Sequence, residues 1–237
     1  MNLLQKVFVI AYDCPHRKTY DVLTLLKSFG YKNVTVFTSP MTYKKTFIPL
    51  LQHRPNTVHF IETKTLCDHL DYRCEGLKQL KDLIFFVKEV EDAPVLIAGA
   101  GLLPNELLNK INFINVHPGY LPYARGLDAF KWSLLQNLPI GVTSHLLGQD
   151  VDSGVLIHRL RIFPQKNDTF HSLAYKVYEE EINLLVKSIE LYKNAKEIIQ
   201  TLDTFPAHKR MPNEIEKTLD ITLKTYYCDE NLYNCWE

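Results

Sequence analysis

An amide, an imidazole and a carboxylate lie in two short segments of this 237-residue chain. Asn115 and His117 occur in Asn-Val-His-Pro, and Asp152 occurs in Asp-Val-Asp-Ser-Gly. Transfer of an acyl group between two nitrogens passes through a tetrahedral oxyanion, which an uncharged hydrogen-bond donor stabilises. The reaction also needs a group that carries a proton and a carboxylate that orients that group. These three side chains therefore predict acyl transfer without a metal.

Apolar runs alternate with helical patterns along most of the chain. We predict strands at residues 7–12, 33–37, 58–62, 94–100, 113–116, 142–147 and 155–162. We predict helices at residues 19–29, 77–90, 127–136 and 170–191, and a further helix that begins at Pro104. This alternation is typical of an α/β protein with a doubly wound, mostly parallel sheet and helices on both faces.

These elements place the candidate residues at one edge of the predicted sheet. His117 follows the strand at residues 113–116, and ligands of open parallel sheets bind beyond the carboxyl ends of the strands. Asp152 lies in the tight connection between two later strands, where Gly154 suits a turn. We therefore expect a site at this edge.

The composition restricts the partners and the location. Lys and Arg total 27, Asp and Glu also total 27, and the sequence pI is about 7.1, so no overall charge attracts nucleic acid or an anionic membrane. No apolar run approaches the ~20 residues that span a bilayer. The five cysteines form no Cys-x-x-Cys pair and are expected to be reduced thiols. We expect a cytoplasmic protein without nucleic-acid or membrane partners.

The chain is expected to form one main domain at residues 1–200 and a carboxyl-terminal extension at residues 201–237. The extension is rich in aromatic residues and includes Tyr226, Tyr227, Tyr233 and Trp236. These side chains suit either a ligand platform or the interface of a homodimer, which we expect this chain to form.

Two other interpretations of the polar residues stay open at this point. Asn115, His117 and Asp152 are residue types that satisfy backbone groups in turns. His117, His145 and Asp152 are also possible ligands of a metal, although His145 lies within a predicted strand, where a structural histidine or a pocket wall is expected.

Three segments together resemble the formyltransferases that use 10-formyltetrahydrofolate. They are residues 115–126, residues 141–145 and residues 150–154, and they keep the order and spacing of that family. The resemblance implies a Rossmann-like fold and a folate donor as co-substrate, with no metal. It also implies that Asn115 donates to the formyl oxygen, that His117 stabilises the oxyanion and relays a proton, and that Asp152 holds His117 in position.

The resemblance further implies a folate pocket that is formed partly by backbone. The residues expected to line it are Ala98, Gly99, Gly101, Leu102, Leu103, Gly148, Gln149 and Asp150.

The acceptor must be inferred from the rest of the chain, which resembles the short nucleotide-sugar N-formyltransferases. That likeness lies in Arg125-Gly126-Leu127-Asp128 and in Lys209-Arg210-Met211-Pro212. It implies dTDP-4-amino-4,6-dideoxyglucose or a similar acceptor, used in surface polysaccharide (O-antigen) synthesis. Cations suit a diphosphate and aromatic rings suit a base. The expected acceptor contacts are Tyr120, Tyr123, Arg125, Lys209 and Arg210.

Two other functions stay open. One is formyl transfer to another small amine, such as glycinamide ribonucleotide. The other is that of a formyltetrahydrofolate hydrolase or a non-catalytic folate-binding relative.

Overall fold

The computed structural model describes residues 5–42, 48–52, 54, 61–91, 93–199 and 204–226. The chain divides into two units. The first comprises Met1–Lys44, Asn56–Asn115 and Leu185–Lys193, and the second comprises Lys45–Pro55, Val116–Leu184 and Asn194–Glu237. The eight strands of the described residues belong to one mostly parallel sheet, so the predicted α/β class is confirmed.

The first unit contains the parallel part of the sheet. Its strands are β1 (Val7–Tyr12), β2 (Val34–Ser39), β3 (Arg73–Gly76), β4 (Val95–Ile97) and β5 (Phe113–His117), of which β5 continues into the second unit. Their order is β3-β2-β1-β4-β5, and each pair of neighbours is parallel. β1 consists almost wholly of buried apolar residues, as is typical of a strand covered on both faces.

The helices of the first unit are α1 (Arg17–Ser28), α2 (Thr63–His69), α3 (Val87–Val90) and α4 (Asn105–Leu108). α1 buries Val22, Leu23 and Leu26, whose spacing of three and four residues forms one apolar stripe. Pro104 precedes α4 directly, as predicted.

The predicted helix at residues 77–90 is wrong in type. Leu80–Phe86 is a 3₁₀ helix, and only Val87–Val90 is α-helical. Leu80, Leu83 and Phe86 are spaced by three residues, which aligns them on one side of a helix with three residues per turn. The sequence also gave no sign of β3, because this edge strand is charged and half-exposed and lacks apolar alternation.

The second unit continues the chain after β5. Its elements are α5 (Ala129–Gln136), β6 (Gly141–Leu147), β7 (Gly154–Arg161), α6 (Phe170–Leu191), β8 (Glu197–Ile199), α7 (Asn213–Glu216) and α8 (Leu219–Thr225). α6, whose final residues belong to the first unit, matches its predicted bounds. β7 pairs antiparallel with both β6 and β8.

Several predictions fall wholly or partly outside the described residues. They concern residues 58–60 of the predicted third strand and the aromatic residues Tyr227, Tyr233 and Trp236. Ile61 and Glu62, which are described, do not lie in a strand. The division into residues 1–200 and 201–237 stays a prediction. No helix in the described ranges is both long and apolar enough to cross a membrane.

A buried ion pair fastens the carboxyl-terminal helices within the second unit. The ammonium of Lys131 on α5 donates to the carboxylate of Glu216 on α7, and both side chains are fully buried. The same carboxylate accepts the backbone N–H groups of Leu50, at 2.5 Å, and Leu51, at 3.2 Å. Glu216 therefore joins three segments that are distant in sequence.

Replacing Lys131 with Met should destabilise the fold by ~3–5 kcal/mol, because it leaves the Glu216 carboxylate buried without its cation. Urea unfolding measures this change. As the control, Lys217→Met breaks the exposed Lys217–Glu214 pair and should cost less than ~1 kcal/mol. If Lys131→Met lowered the free energy of unfolding no more than Lys217→Met, the buried pair would add no more stability than the exposed pair.

Candidate active site

His117 and Asn115 lie together near the carboxyl end of β5. His117 is the last residue of the strand and is buried, whereas Asn115 is half-buried. Alternate residues of a strand project from the same face, so the two side chains share one face of β5. The Asn115 amide has no hydrogen-bond partner among the described residues, so its N–H groups are available to a ligand.

His117 is buried and pairs with Asp152, whose side chain exposes 13% of its surface. Nδ1 of His117 lies 3.3 Å from Oδ1 of Asp152, and Nε2 of His117 lies 2.7 Å from the carbonyl oxygen of Ala124. A carbonyl oxygen only accepts hydrogen bonds, so Nε2 carries a proton in this arrangement. Nδ1 faces the Asp152 carboxylate, which is its ion-pair partner when the ring is doubly protonated.

Asp152 lies in a tight turn between β6 and β7. Its backbone is in the left-handed region with φ of 49°, and Gly154 follows with φ of 120°. The hydroxyl of Ser153 donates to the Asp150 carbonyl at 2.8 Å, and the N–H of Gly148 donates to the Ser153 carbonyl at 3.0 Å. These bonds close the turn and fix the direction of the Asp152 side chain.

Residues Ala124, Arg125 and Gly126 form a clamp around the pair. The Ala124 carbonyl accepts from His117, and the Gly126 N–H donates to Oδ2 of Asp152 at 2.6 Å. Between them, the guanidinium of Arg125 donates to the Val151 carbonyl at 2.6 Å. The clamp therefore holds His117, Asp152 and the turn that carries Asp152.

His145 is a second buried histidine beside the pair. Its Nδ1 donates to the Ser153 carbonyl at 3.0 Å, and its buried Nε2 has no hydrogen-bond partner within the described ranges. Burial lowers the pKa of His145 to about 4, while the nearby Asp152 charge raises it and His117 lowers it. The ring is therefore neutral at pH 7, and His145 supports the Asp152 turn as a structural histidine.

The arrangement does not suit a metal centre made of His117, His145 and Asp152. Both ring nitrogens of His117 face oxygen atoms, and Nδ1 of His145 is used by Ser153. In the part of the chain that the structure describes, no group of three His, Cys, Asp or Glu residues is placed to hold a metal ion.

The predicted acceptor contacts have different surroundings. Tyr120 is buried with the Arg159 guanidinium 5.5 Å from its ring centroid, and Tyr123 is buried edge-on to Phe205. Arg125 is buried in the clamp. Arg210 pairs with Asp128 at 3.3 Å, whereas Lys209 is exposed.

The predicted folate contacts lie in one loop of each unit. Ala98 and Gly99 are buried just after β4, whereas Gly101 and Leu102 are exposed, and Leu102 exposes 96% of its surface. Leu103 is half-buried. In the second unit, Gly148, Gln149 and Asp150 begin the turn that carries Asp152, and Gln149 and Asp150 are exposed.

Sequence reasoning missed the clamp as a support for the pair. Ala124 and Gly126 act through a backbone carbonyl and a backbone N–H, which no residue type signals. It also missed Gly119, where an added Cβ would lie 2.6 Å from Nε2 of His117 and 2.5 Å from the Ala124 carbonyl. The signal available for Gly119 was its position two residues after His117.

The sequence profile of the formyl transferase family matches residues 32–189, which is more than half of the chain. The chain belongs to the formyl transferase family. Among curated family relatives, the bifunctional polymyxin resistance protein ArnA of Wigglesworthia glossinidia brevipalpis is 25% identical over 88% of this chain and 31% of its own length. The chain thus spans about a third of the length of the first curated relatives that it matches.

Solved structures share the formyl transferase fold at low sequence identity. A 4-N formyltransferase from Francisella tularensis has a TM-score of 0.61 at 20% identity, over 92% of this chain and 87% of its own. A sugar N-formyltransferase from a Shewanella species has a TM-score of 0.58 at 19% identity, over 91% of this chain and 87% of its own. The phosphoribosylglycinamide formyltransferase of Streptococcus pneumoniae has a TM-score of 0.55 at 17% identity, over 80% of this chain and 99% of its own.

Replacing Gly119 with Ala should destabilise the fold by ~1–3 kcal/mol, because the new methyl group overlaps His117 and the carbonyl that it binds. Chemical denaturation measures the change. As the control, Gly76→Ala adds a methyl group with nothing within 4 Å and should stay within ~0.5 kcal/mol of the wild type. A Gly119→Ala protein as stable as the control would contradict the close packing around His117.

His145 should make stability depend on pH. Its pKa is about 4 in the folded state and 6.5 as the ordinary value, so the unfolded chain binds the additional proton between these limits. The contribution to stability is full above pH 6.5 and is lost as the pH falls toward 4. His145→Asn keeps a donor for Ser153 but does not ionise, so the free energy of unfolding should decrease less between pH 7 and pH 4.5. Parallel curves for the two proteins would contradict this role.

Proposed function

We propose that this protein transfers a formyl group from 10-formyltetrahydrofolate to the amine of a nucleotide-linked amino sugar. The observation that carries the proposal is the pair formed by Asp152 and the buried His117 at the carboxyl end of β5, with Asn115 on the same face of that strand. Membership of the formyl transferase family supports both the reaction and the donor.

The reaction moves one formyl group and one proton. A C–N bond forms between the acceptor amine and the formyl carbon, the C–N bond between that carbon and the folate breaks, and a proton passes from the amine to the folate nitrogen. A pair that accepts a proton and later returns it serves both halves of this exchange.

The three side chains take separate parts in that exchange. The Asn115 amide, which has no hydrogen-bond partner among the described residues, donates to the formyl oxygen as negative charge develops on it. Asp152 and His117 share a proton along the 3.3 Å line between Oδ1 and Nδ1. Because Nε2 donates to Ala124, the proton that moves is the one at Nδ1, and any donation from Nε2 to the oxyanion requires the ring to leave Ala124.

Each of the two loops that hold the predicted folate contacts has features that suit a folate. Leu102 presents a nearly fully exposed apolar side chain after β4, and nothing lies within 4 Å of an added Cβ at Gly101. Separately, Gln149 and Asp150 are exposed in the turn that carries the Asp152 carboxylate. In the first unit, the exposed Leu102 suits contact with the face of a ring, and in the second unit the exposed residues of the turn suit hydrogen bonds to polar edges.

Two observations favour a nucleotide sugar as the acceptor. The two segments that resemble the sugar enzymes contact each other, since Gly126 forms a backbone bridge with His208, and Asp128 binds Arg210 and Met211. The Shewanella neighbour that spans most of this chain is a sugar N-formyltransferase. Of the acceptor cations, the exposed Lys209 is the one we assign to the diphosphate. We infer dTDP-4-amino-4,6-dideoxyglucose as the acceptor, a role in surface polysaccharide synthesis, a cytoplasmic location and a homodimer.

An assay with purified protein separates the candidate functions. 10-Formyltetrahydrofolate and a panel of amino sugars linked to dTDP, UDP or GDP should give tetrahydrofolate only when an acceptor is present. Release without any acceptor would identify a hydrolase instead. Release with glycinamide ribonucleotide but with no nucleotide sugar would overturn the proposed acceptor.

Within the same assay, Asn115→Ala should lower kcat by ~10²–10³-fold, because it removes the donor to the oxyanion. His117→Ala and Asp152→Asn should lower it by ~10²–10⁴-fold, because they remove the proton carrier or its charged partner. Lys217→Met is the control. It removes an exposed charge that is distant in sequence from the three residues, and it should keep wild-type activity. Activity that survives all three substitutions would contradict the assignment.

A further inference from the structure

A short segment late in the chain, residues 208–211, is hydrogen-bonded to the clamp region. We call this segment the strap. The His208 N–H donates to the Arg125 carbonyl and the Leu127 N–H donates to the His208 carbonyl, each at 2.9 Å. These two bonds form a parallel bridge between the strap and Gly126. The clamp is therefore bonded to the His117–Asp152 pair and to the strap at the same time.

Gly126 is the point where the two sets of contacts meet. Its N–H donates to Oδ2 of Asp152, and an added Cβ would lie 2.3 Å from the His208 carbonyl oxygen. Its φ of 85° is a conformation that favours glycine. The strap therefore packs directly against the residue whose N–H donates to Asp152.

Asp128 fastens the strap. Its backbone has φ of 54°, and its buried carboxylate accepts the Met211 N–H at 2.9 Å and pairs with the Arg210 guanidinium at 3.3 Å. Trp132, one turn along α5, adds a bond from its indole N–H to the Lys209 carbonyl at 2.9 Å. The Trp132 ring also stacks on the His208 ring, with centroids 4.6 Å apart.

We propose that Asp128 is a positioning residue for the proposed formyl transfer. By binding Met211 and Arg210, it holds the strap against Gly126 and so keeps the Gly126 N–H directed at Asp152. On this account Arg210, which the sequence suggested as a diphosphate contact, acts through Asp128 and does not touch the acceptor. The effect on catalysis rests on the proposed function, whereas the effect on Gly126 does not.

Asp128→Gly is the substitution that tests this role most cleanly, because glycine accepts the left-handed backbone without strain. The Gly126 amide should exchange with solvent at least ~10-fold faster, measured by NMR on the full-length protein, because the strap no longer keeps its N–H directed at Asp152. The Val142 amide in β6 should keep its wild-type rate. Asn137→Gly, at the other end of α5 with φ of 54°, is the matched control and should leave Gly126 protected.

Asp128→Asn keeps an acceptor for Met211 and tolerates the same backbone, so it should restore most of the Gly126 protection. Unchanged exchange at Gly126 in Asp128→Gly, or equal loss in the Asn137 control, would overturn the proposal. The exchange measurement uses no substrate, so it tests the role of Asp128 at Gly126 even if the wild-type protein shows no formyl transfer. A lack of formyl transfer would overturn the proposed function alone.

Kinetics separate positioning from acceptor binding. Asp128→Gly and Arg210→Met should each lower kcat by ~10-fold or more while leaving the KM of the nucleotide sugar within about twofold, because the loss falls on the orientation of the pair. A raised KM with unchanged kcat in Arg210→Met would show that Arg210 binds the diphosphate and would overturn its assignment to the strap.

Discussion

One backbone carbonyl and one backbone N–H, two residues apart, hold the imidazole and the carboxylate on which the site depends. His117 and Asp152 are both largely buried, and burial of such groups is costly unless each has a hydrogen-bond partner. Ala124 supplies the acceptor for His117 and Gly126 supplies the donor for Asp152. Because both partners belong to one short clamp, the distance between imidazole and carboxylate follows from the path of the backbone.

The position of that backbone is fixed by residues much later in the chain. The strap bonds to both neighbours of Gly126, and Asp128 holds the strap through Met211 and Arg210. The buried Lys131–Glu216 pair then joins α5 to α7. The carboxyl-terminal part of the chain is therefore part of the architecture of the site, and we infer that it contributes to the chemistry through geometry.

The sequence predicts well most of the strands and helices that hold the candidate site residues. Buried parallel strands and long amphipathic helices leave clear patterns of apolar residues. It places His117 at a strand end and Asp152 in a turn, and the structure has both. It fails at β3, because that charged strand lacks the apolar pattern of a buried strand. It also fails at the 3₁₀ helix, because a three-residue spacing of apolar residues resembles that of an α-helix. It also cannot tell that Arg125 and Arg210 have internal partners, since an arginine of a binding site and one of a buried pair look the same in sequence.

The protonation of His117 is the most direct test of this account. In protein labelled with ¹⁵N-histidine, NMR separates protonated from unprotonated ring nitrogens, and a spectrum of His117→Gln assigns the signal. We predict a protonated Nε2 at neutral pH, in slow exchange with solvent because it donates to the Ala124 carbonyl. An unprotonated Nε2 would contradict this prediction, because the clamp would then not hold the His117–Asp152 pair.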